Sequence, residues 1–181
     1  NVQHLYPISL AEIAADITLY GMDKCLPDYL IYGMYPEQLT MTTALEKTEK
    51  ITEVANSYLI KDILDFDMVK SSKIVIDLLK LIAFQIGSQV STNELANHLG
   101  VDKKTVARYL DLLEKSFVLY RLDGFSRNLR KEISKMSKYY FYDLGIRNAI
   151  ISNFNDLNTR NDIGQLWENF MIIERLKANT Y

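Results

Sequence analysis

The sequence holds one cysteine, three prolines and two histidines, and each scarcity removes a class of explanation. Cys25 alone cannot form an internal disulfide or a multi-thiolate zinc site, which fits a reducing cytoplasm. His4 and His98 lie far apart, so a histidine-centred metal site is not expected. No run approaches the roughly 20 uncharged apolar residues a membrane span needs. The start carries no basic-then-apolar leader. No internal repeat or low-complexity segment occurs. None of the seven glycines stands in a G-x-x-x-x-G-K-[ST] run, so the chain has no phosphate cradle of that type.

What is present is an ordinary mixture, 48% hydrophobic and 24% charged, long enough for one good core or two small ones. The net charge of −2 hides an asymmetry. Residues 101–150 hold 11 Lys/Arg and 6 Asp/Glu, against 10 and 17 in the remainder. That split suggests a basic face on an acidic body, although a charge run is more often only a solvated face.

Turn and cap signals divide the chain. Residues 5–8 read as a strand end entering a helix. Ser9 and Glu12 form a capping-box pattern for a helix over 10–19 that Gly21 ends. Residues 27–36 suggest a short helix and a turn at Gly33 to Pro36. A long helix is expected from Thr42 or Thr43 to about Leu64, carrying Ile51, Val54, Ala55, Tyr58, Leu59 and Leu64 at helical spacing. Another spans about 72–86, with Ile74, Leu78, Leu81, Ile82 and Phe84 on a wide apolar face, closed by Gly87.

The clearest constellation runs from Val90 to Leu119. Ser91 or Thr92 caps a helix over 93–99. Gly100 permits the left-handed turn of a tight corner. Asp102 caps a second helix from Lys103 to about Lys115. Leu95, Ala96 and Leu99 face Val101, Val106, Leu110 and Leu113, the packing of a helix-turn-helix. Residues 117–122 and 138–142 are rich in β-branched and aromatic side chains and read as two strands of a hairpin wing. Between them a basic loop of about 15 residues carries Arg127, Arg130, Lys131 and Lys135. Lys103, Lys104, Thr105 and Arg108 on the second helix, with these four, are the candidate nucleic-acid contacts. Rigid docking without DNA, and a solvated hairpin tip, are the competing readings.

Asp143 is expected to cap a helix over 144–151. A final helix starts near Arg160 or Asp162 and carries Leu166, Trp167, Phe170, Ile173 and Leu176. So apolar a helix must pack on something, and both ends of the chain read as cut. Glu168 lies among these residues and by itself indicates nothing. The expected fold class is mainly α. A helical lid-like region covers 1–68, a winged helix-turn-helix with a β-hairpin wing covers 69–143, and a further truncated domain begins at 144–181.

The ordered set of runs at 5–13 (LYPISLAEI), 33–36 (GMYP), 57–64 (SYLIKDIL), 125–131 (FSRNLRK), 140–147 (YFYDLGIR) and 164–170 (GQLWENF) resembles a family of prokaryotic AAA+-class P-loop ATPases. In that family a helical lid, a winged helix and a C-terminal domain similar to PD-(D/E)XK nucleases follow the ATPase core. The resemblance implies ATP and Mg²⁺ for a full-length parent, and the ATPase core of the same polypeptide as partner. It matches Glu168 to the helix glutamate of the nuclease-like motif. The phosphate-binding loop is absent here, and so are the Asp and Glu-x-Lys that complete that motif. The chain itself is therefore expected to be non-catalytic, with no cofactor of its own. DNA is a candidate partner, a membrane is not, and the oligomeric state is open. A protein-interaction or structural linker module is the alternative reading, and a free-standing transcription regulator a third.

Overall fold

A computed structural model describes residues 6–14, 19–60, 71–124 and 136–180, with the side chains of 19, 20, 58–60 and 180 outside that description. The chain is mainly helical. Helix α1 (Leu10–Ile13) is followed by α2 (Leu19–Tyr32), α3 (Pro36–Thr40) and α4 (Ala44–Val54), which continues into a π-helical turn at Ala55–Ile60. Then come α5 (Ser72–Phe84), strand β1 (Gln89–Val90), α6 (Thr92–Leu99), α7 (Lys103–Lys115), β2 (Leu119–Leu122) and β3 (Ser137–Phe141). Helix α8 (Leu144–Ile150), a 3₁₀ turn (Leu157–Thr159) and α9 (Ile163–Thr180) complete the order.

Side-chain caps set many of the boundaries. Ser9 and Glu12 close a full capping box on α1, and Thr43 and Glu46 do the same on α4. Ser91, Asp102 and Asp143 cap α6, α7 and α8, each satisfying an otherwise orphan N–H. Gly21 does not stop a helix: α2 runs through both Gly21 and Pro27. Residues 27–32 belong to this longer helix, which ends at Gly33 (φ +83°), and Pro36 opens α3 rather than closing a turn. The expected helix to Leu64 leaves α-geometry after Val54, and Leu64 lies outside the described residues.

The sheet has three antiparallel strands in the order β1-β3-β2, so the expected two-strand hairpin gains a third member from residues 89–90. Leu119 faces Phe141 and Leu122 faces Lys138 in the β2–β3 register. Phe117 stays out of β2 because it sits in the left-handed region at φ +54°, which breaks extended geometry. Central β3 uses the two-residue period of a strand. Tyr139 and Phe141 face the α7 side, while Lys138 and Tyr140 reach Glu168 on α9.

One continuous apolar core contains Leu30 and Ile51, Leu78 and Ile82, Val106 and Leu113, and Leu144, Leu166 and Phe170. It therefore threads 1–68, 69–143 and 144–181 alike. Behind it lies a buried polar hub. Arg147, 2% exposed, donates to the Ala83 carbonyl at the end of α5 through Nε (2.9 Å) and Nη2 (2.7 Å). Its Nη1 donates to Asp162 Oδ2 (2.6 Å) and Asn148 Oδ1 (3.0 Å). Arg160 donates to both Asp162 oxygens and to Asn148, and Asn148 donates to the Leu30 and Ile31 carbonyls of α2. Three helix ends are joined by charge-assisted bonds, and cations beside helix carbonyl ends are favourably placed. Close approach completes the joint: a Cβ on Gly145 would overlap the Tyr32 carbonyl.

Candidate nucleic-acid interface

The corner between α6 and α7 is built locally. Gly100 adopts φ +64°, ψ +32°, a left-handed C-cap, and its N–H bonds back to α6. Val101 N–H donates to the Ala96 carbonyl at 3.1 Å, so the chain reverses within two residues. Asp102 Oδ1 accepts from Thr105 N–H (2.9 Å) and Oδ2 from the Thr105 hydroxyl (2.7 Å). These bonds, the hydroxyl's first, hold the Asp102 carboxyl below its ordinary range. Leu95 and Ala96 of α6, and Val106, Tyr109, Leu110 and Leu113 of α7, are buried. The opposite face of α7 is thereby presented outward.

That face has two halves. Lys103 and Lys104 are exposed on the first turn and form no ion pair with a described residue. Arg108 follows one turn later, half-buried, its guanidinium 5.2 Å from the Tyr109 ring centre and its Nε without a hydrogen-bond partner among the described residues. Further along, Asp111 is paired with Lys115 at 2.7 Å. The N-terminal half thus offers cations without a described carboxylate partner, and in the C-terminal half Lys115 is spent on Asp111. Of the sequence-derived candidates, Lys103, Lys104, Thr105 and Arg108 share this helix. Thr105 has its hydroxyl proton committed to Asp102. Arg127, Arg130, Lys131 and Lys135 lie outside the described residues.

Glu168 has a different setting. Its Oε1 accepts from the Tyr140 hydroxyl (2.6 Å) and from Lys138 Nζ (3.0 Å). The tyrosine bond first, then the lysine, hold its carboxyl below the ordinary range. Burial and this bond push the Tyr140 hydroxyl well above its usual value. Among the described residues, no three His, Cys, Asp or Glu side chains are grouped to hold a metal. A carboxylate flanked by two hydrogen-bond donors, one of them cationic, does not fit the divalent metal that the nuclease-like resemblance implies. Here it clamps α9 to β3. No described helix is long and apolar enough to cross a membrane. Sequence reasoning did not reveal Tyr140 and Lys138 as partners of Glu168; the only available signal was the two-residue spacing that puts both on one face of β3.

Comparison with known proteins finds relatives of the chain as a whole. The chain is 25% identical over 96% of its length to an uncharacterized protein of Haemophilus influenzae, of which it covers 44%. It is 29% identical over 77% of its length to an uncharacterized protein of Methanocaldococcus jannaschii, covering 29% of that protein. It is 30% identical over 54% of its length to one of Mycobacterium tuberculosis, covering 22%. The chain therefore spans less than half the length of these curated relatives. No solved structure matches it. The profile of one family matches residues 23–157, from the middle of α2 to the 3₁₀ turn and so across the α6–α7 corner and the sheet; the chain belongs to that family, described as a domain of unknown function, DUF8612.

Proposed function

We propose that residues 69–143 form a winged helix-turn-helix that engages the phosphate backbone of nucleic acid, within a non-catalytic region of a larger AAA+-class ATPase. The observation that carries this reading is the first turn of α7. Lys103 and Lys104 are exposed there and form no ion pair with a described residue, at a helix N-terminus that already favours anions. Arg108 extends the cationic surface by one turn. Contacts of this kind set register and affinity without reading sequence. The single core through α2, α5, α8 and α9 suits a part that passes movement from a lid-like region to the bound partner. The relatives extend well beyond the matched region, which leaves room in them for an ATPase core.

Fluorescence anisotropy with labelled duplex and single-stranded oligonucleotides at low salt tests the reading. Binding should weaken steeply as salt rises. Lys103→Glu with Lys104→Glu should abolish it while leaving the melting curve unchanged. A flat titration with both oligonucleotides, in salt as low as the protein tolerates, overturns it. The second reading, an interaction or linker module that binds no nucleic acid, is favoured by Asp111 and Glu114 on the same helix. In that case charge reversal at Arg130 and Lys131 disturbs domain association or stability and leaves nucleic acid untouched.

A further inference from the structure

A groove of about 480 Å³ lies between α7 and the sheet, within the size range of small-ligand sites. At one end its polar groups are poorly matched to one another. The Glu114 carboxylate, half-buried on the last turn of α7, accepts no hydrogen bond from a described residue. Burial pushes its carboxyl above the ordinary range, and Arg121 pulls it partly back. Arg121 does not close on it: Arg121 Nε is held by Asp123 (2.7 Å) and Ser137 (3.0 Å). Opposite stands Tyr139, 5% exposed, lining the groove with a hydroxyl that has no hydrogen-bond partner among the described residues. Burial first, and then the nearby Glu114 carboxylate, push this hydroxyl up to about 12.

The nearby carboxylates are already matched, and Lys103, which also lines the groove, stands about three helical turns from Glu114 along α7. Asp111 is paired with Lys115 and Asp123 with Arg121, so among the described residues Glu114 is the one carboxylate lining the groove that lacks a donor. It also stands near a helix C-terminus, where negative charge is unfavourable and a cation is favoured. A desolvated carboxylate without donors is costly, and a bound N–H donor cation removes that cost. Among the other lining residues, Leu110, Ala107 and Met136 are apolar and suit an alkyl chain. A metal ion is a poor match, because no second unpaired carboxylate among the described residues faces Glu114. We propose that this end of the groove binds a small organic cation, an alkylguanidine or alkylamine, with its head on Glu114 and the Tyr139 hydroxyl and its chain along Leu110. Lys103 of the exposed first turn lines the far part of the same groove, but the contacts at Glu114 and Tyr139 do not depend on nucleic-acid binding.

Titration calorimetry of the 181-residue chain with butylguanidinium chloride tests this, with sodium pentanoate as an anion of similar length. Saturable binding of butylguanidinium and none of pentanoate is expected. Glu114→Gln should weaken it at least about tenfold, the loss of a charged hydrogen-bond partner. Tyr139→Phe should weaken it less, and Glu49→Gln on distant α4 should leave it unchanged. Circular dichroism melting confirms that each variant is folded, and Tyr139→Phe decides the matter if Glu114→Gln is not. Absence of saturable binding overturns the proposal, as does pentanoate binding as well as butylguanidinium. Full binding by Glu114→Gln, or by Tyr139→Phe where that variant decides, also overturns it.

Discussion

The hub at Arg147 and the outer face of α7 both collect basic side chains, but on opposite terms. Every guanidinium nitrogen of Arg147 and Arg160 has a named acceptor within 3.0 Å. Lys103 and Lys104 have none among the described residues. Buried charge persists only where partners repay its desolvation, so saturation marks structural work. Exposed charge carries no such requirement, and unmatched cations on a rigid helix are what an external partner can use.

The comparison breaks most visibly at the hub. Arg147→Ala should cost about 3–5 kcal/mol, because Asp162 and the Ala83 carbonyl lose a buried partner; urea unfolding measures it. Gly145→Ala, at the same joint, forces a methyl into the Tyr32 carbonyl and should cost about 1–3 kcal/mol or more. Asp162 sharpens the contrast through pH. Burial opposes its ionisation, but hydrogen bonds and charge from Arg160 and Arg147 outweigh this and bring its carboxyl down to about 2. A depressed carboxylate contributes stability above its unfolded value, near 3.9, and loses it as pH falls toward 2. Melting temperatures between about pH 4 and pH 2 should therefore fall, and Asp162→Asn should flatten that part of the profile. Asp102→Ala removes a cap and should cost about 1 kcal/mol. Lys104→Ala should shift stability by less than about 0.5 kcal/mol while lowering the salt dependence of nucleic-acid binding. A large loss of stability there would erase the distinction between the two regions.

Local chemistry was legible in the sequence. The caps at Ser9, Asp102 and Asp143 and the left-handed Gly100 need only neighbours within a few residues, and each stands where the pattern places it. Long-range compensation was not legible. Gly21 and Pro27 read as breaks, yet α2 runs through both; its end is fixed by Asn148 and Gly145, more than 100 residues away. Nothing near Arg147 in sequence announces that its acceptors are Ala83 and Asp162. Strand β1 was missed because two residues carry no alternation; they join the sheet only because Ser137 and Lys138 stand opposite. At the candidate interface, the α7 cations follow from helical spacing. The lone carboxylate at Glu114 emerges only when β2 and β3 are folded beside it.

Asn169 on α9 uses its side-chain amide on the backbone of β3. Its Oδ1 accepts from Phe141 N–H at 2.8 Å, and its Nδ2 donates to the Phe141 carbonyl at 2.9 Å. Tyr142 N–H donates toward β2 at the Val118 carbonyl, and the Tyr139 carbonyl accepts from Gly87 N–H on the other side, so this amide continues the β1 edge of central β3 for one residue. A helix resting on a sheet through apolar contacts alone can slide by a fraction of a turn at little penalty. This one is indexed to a single peptide unit and has no intermediate position. Any displacement of α9 must carry β3 with it, and β3 in turn carries the wall of the groove against which α7 is set.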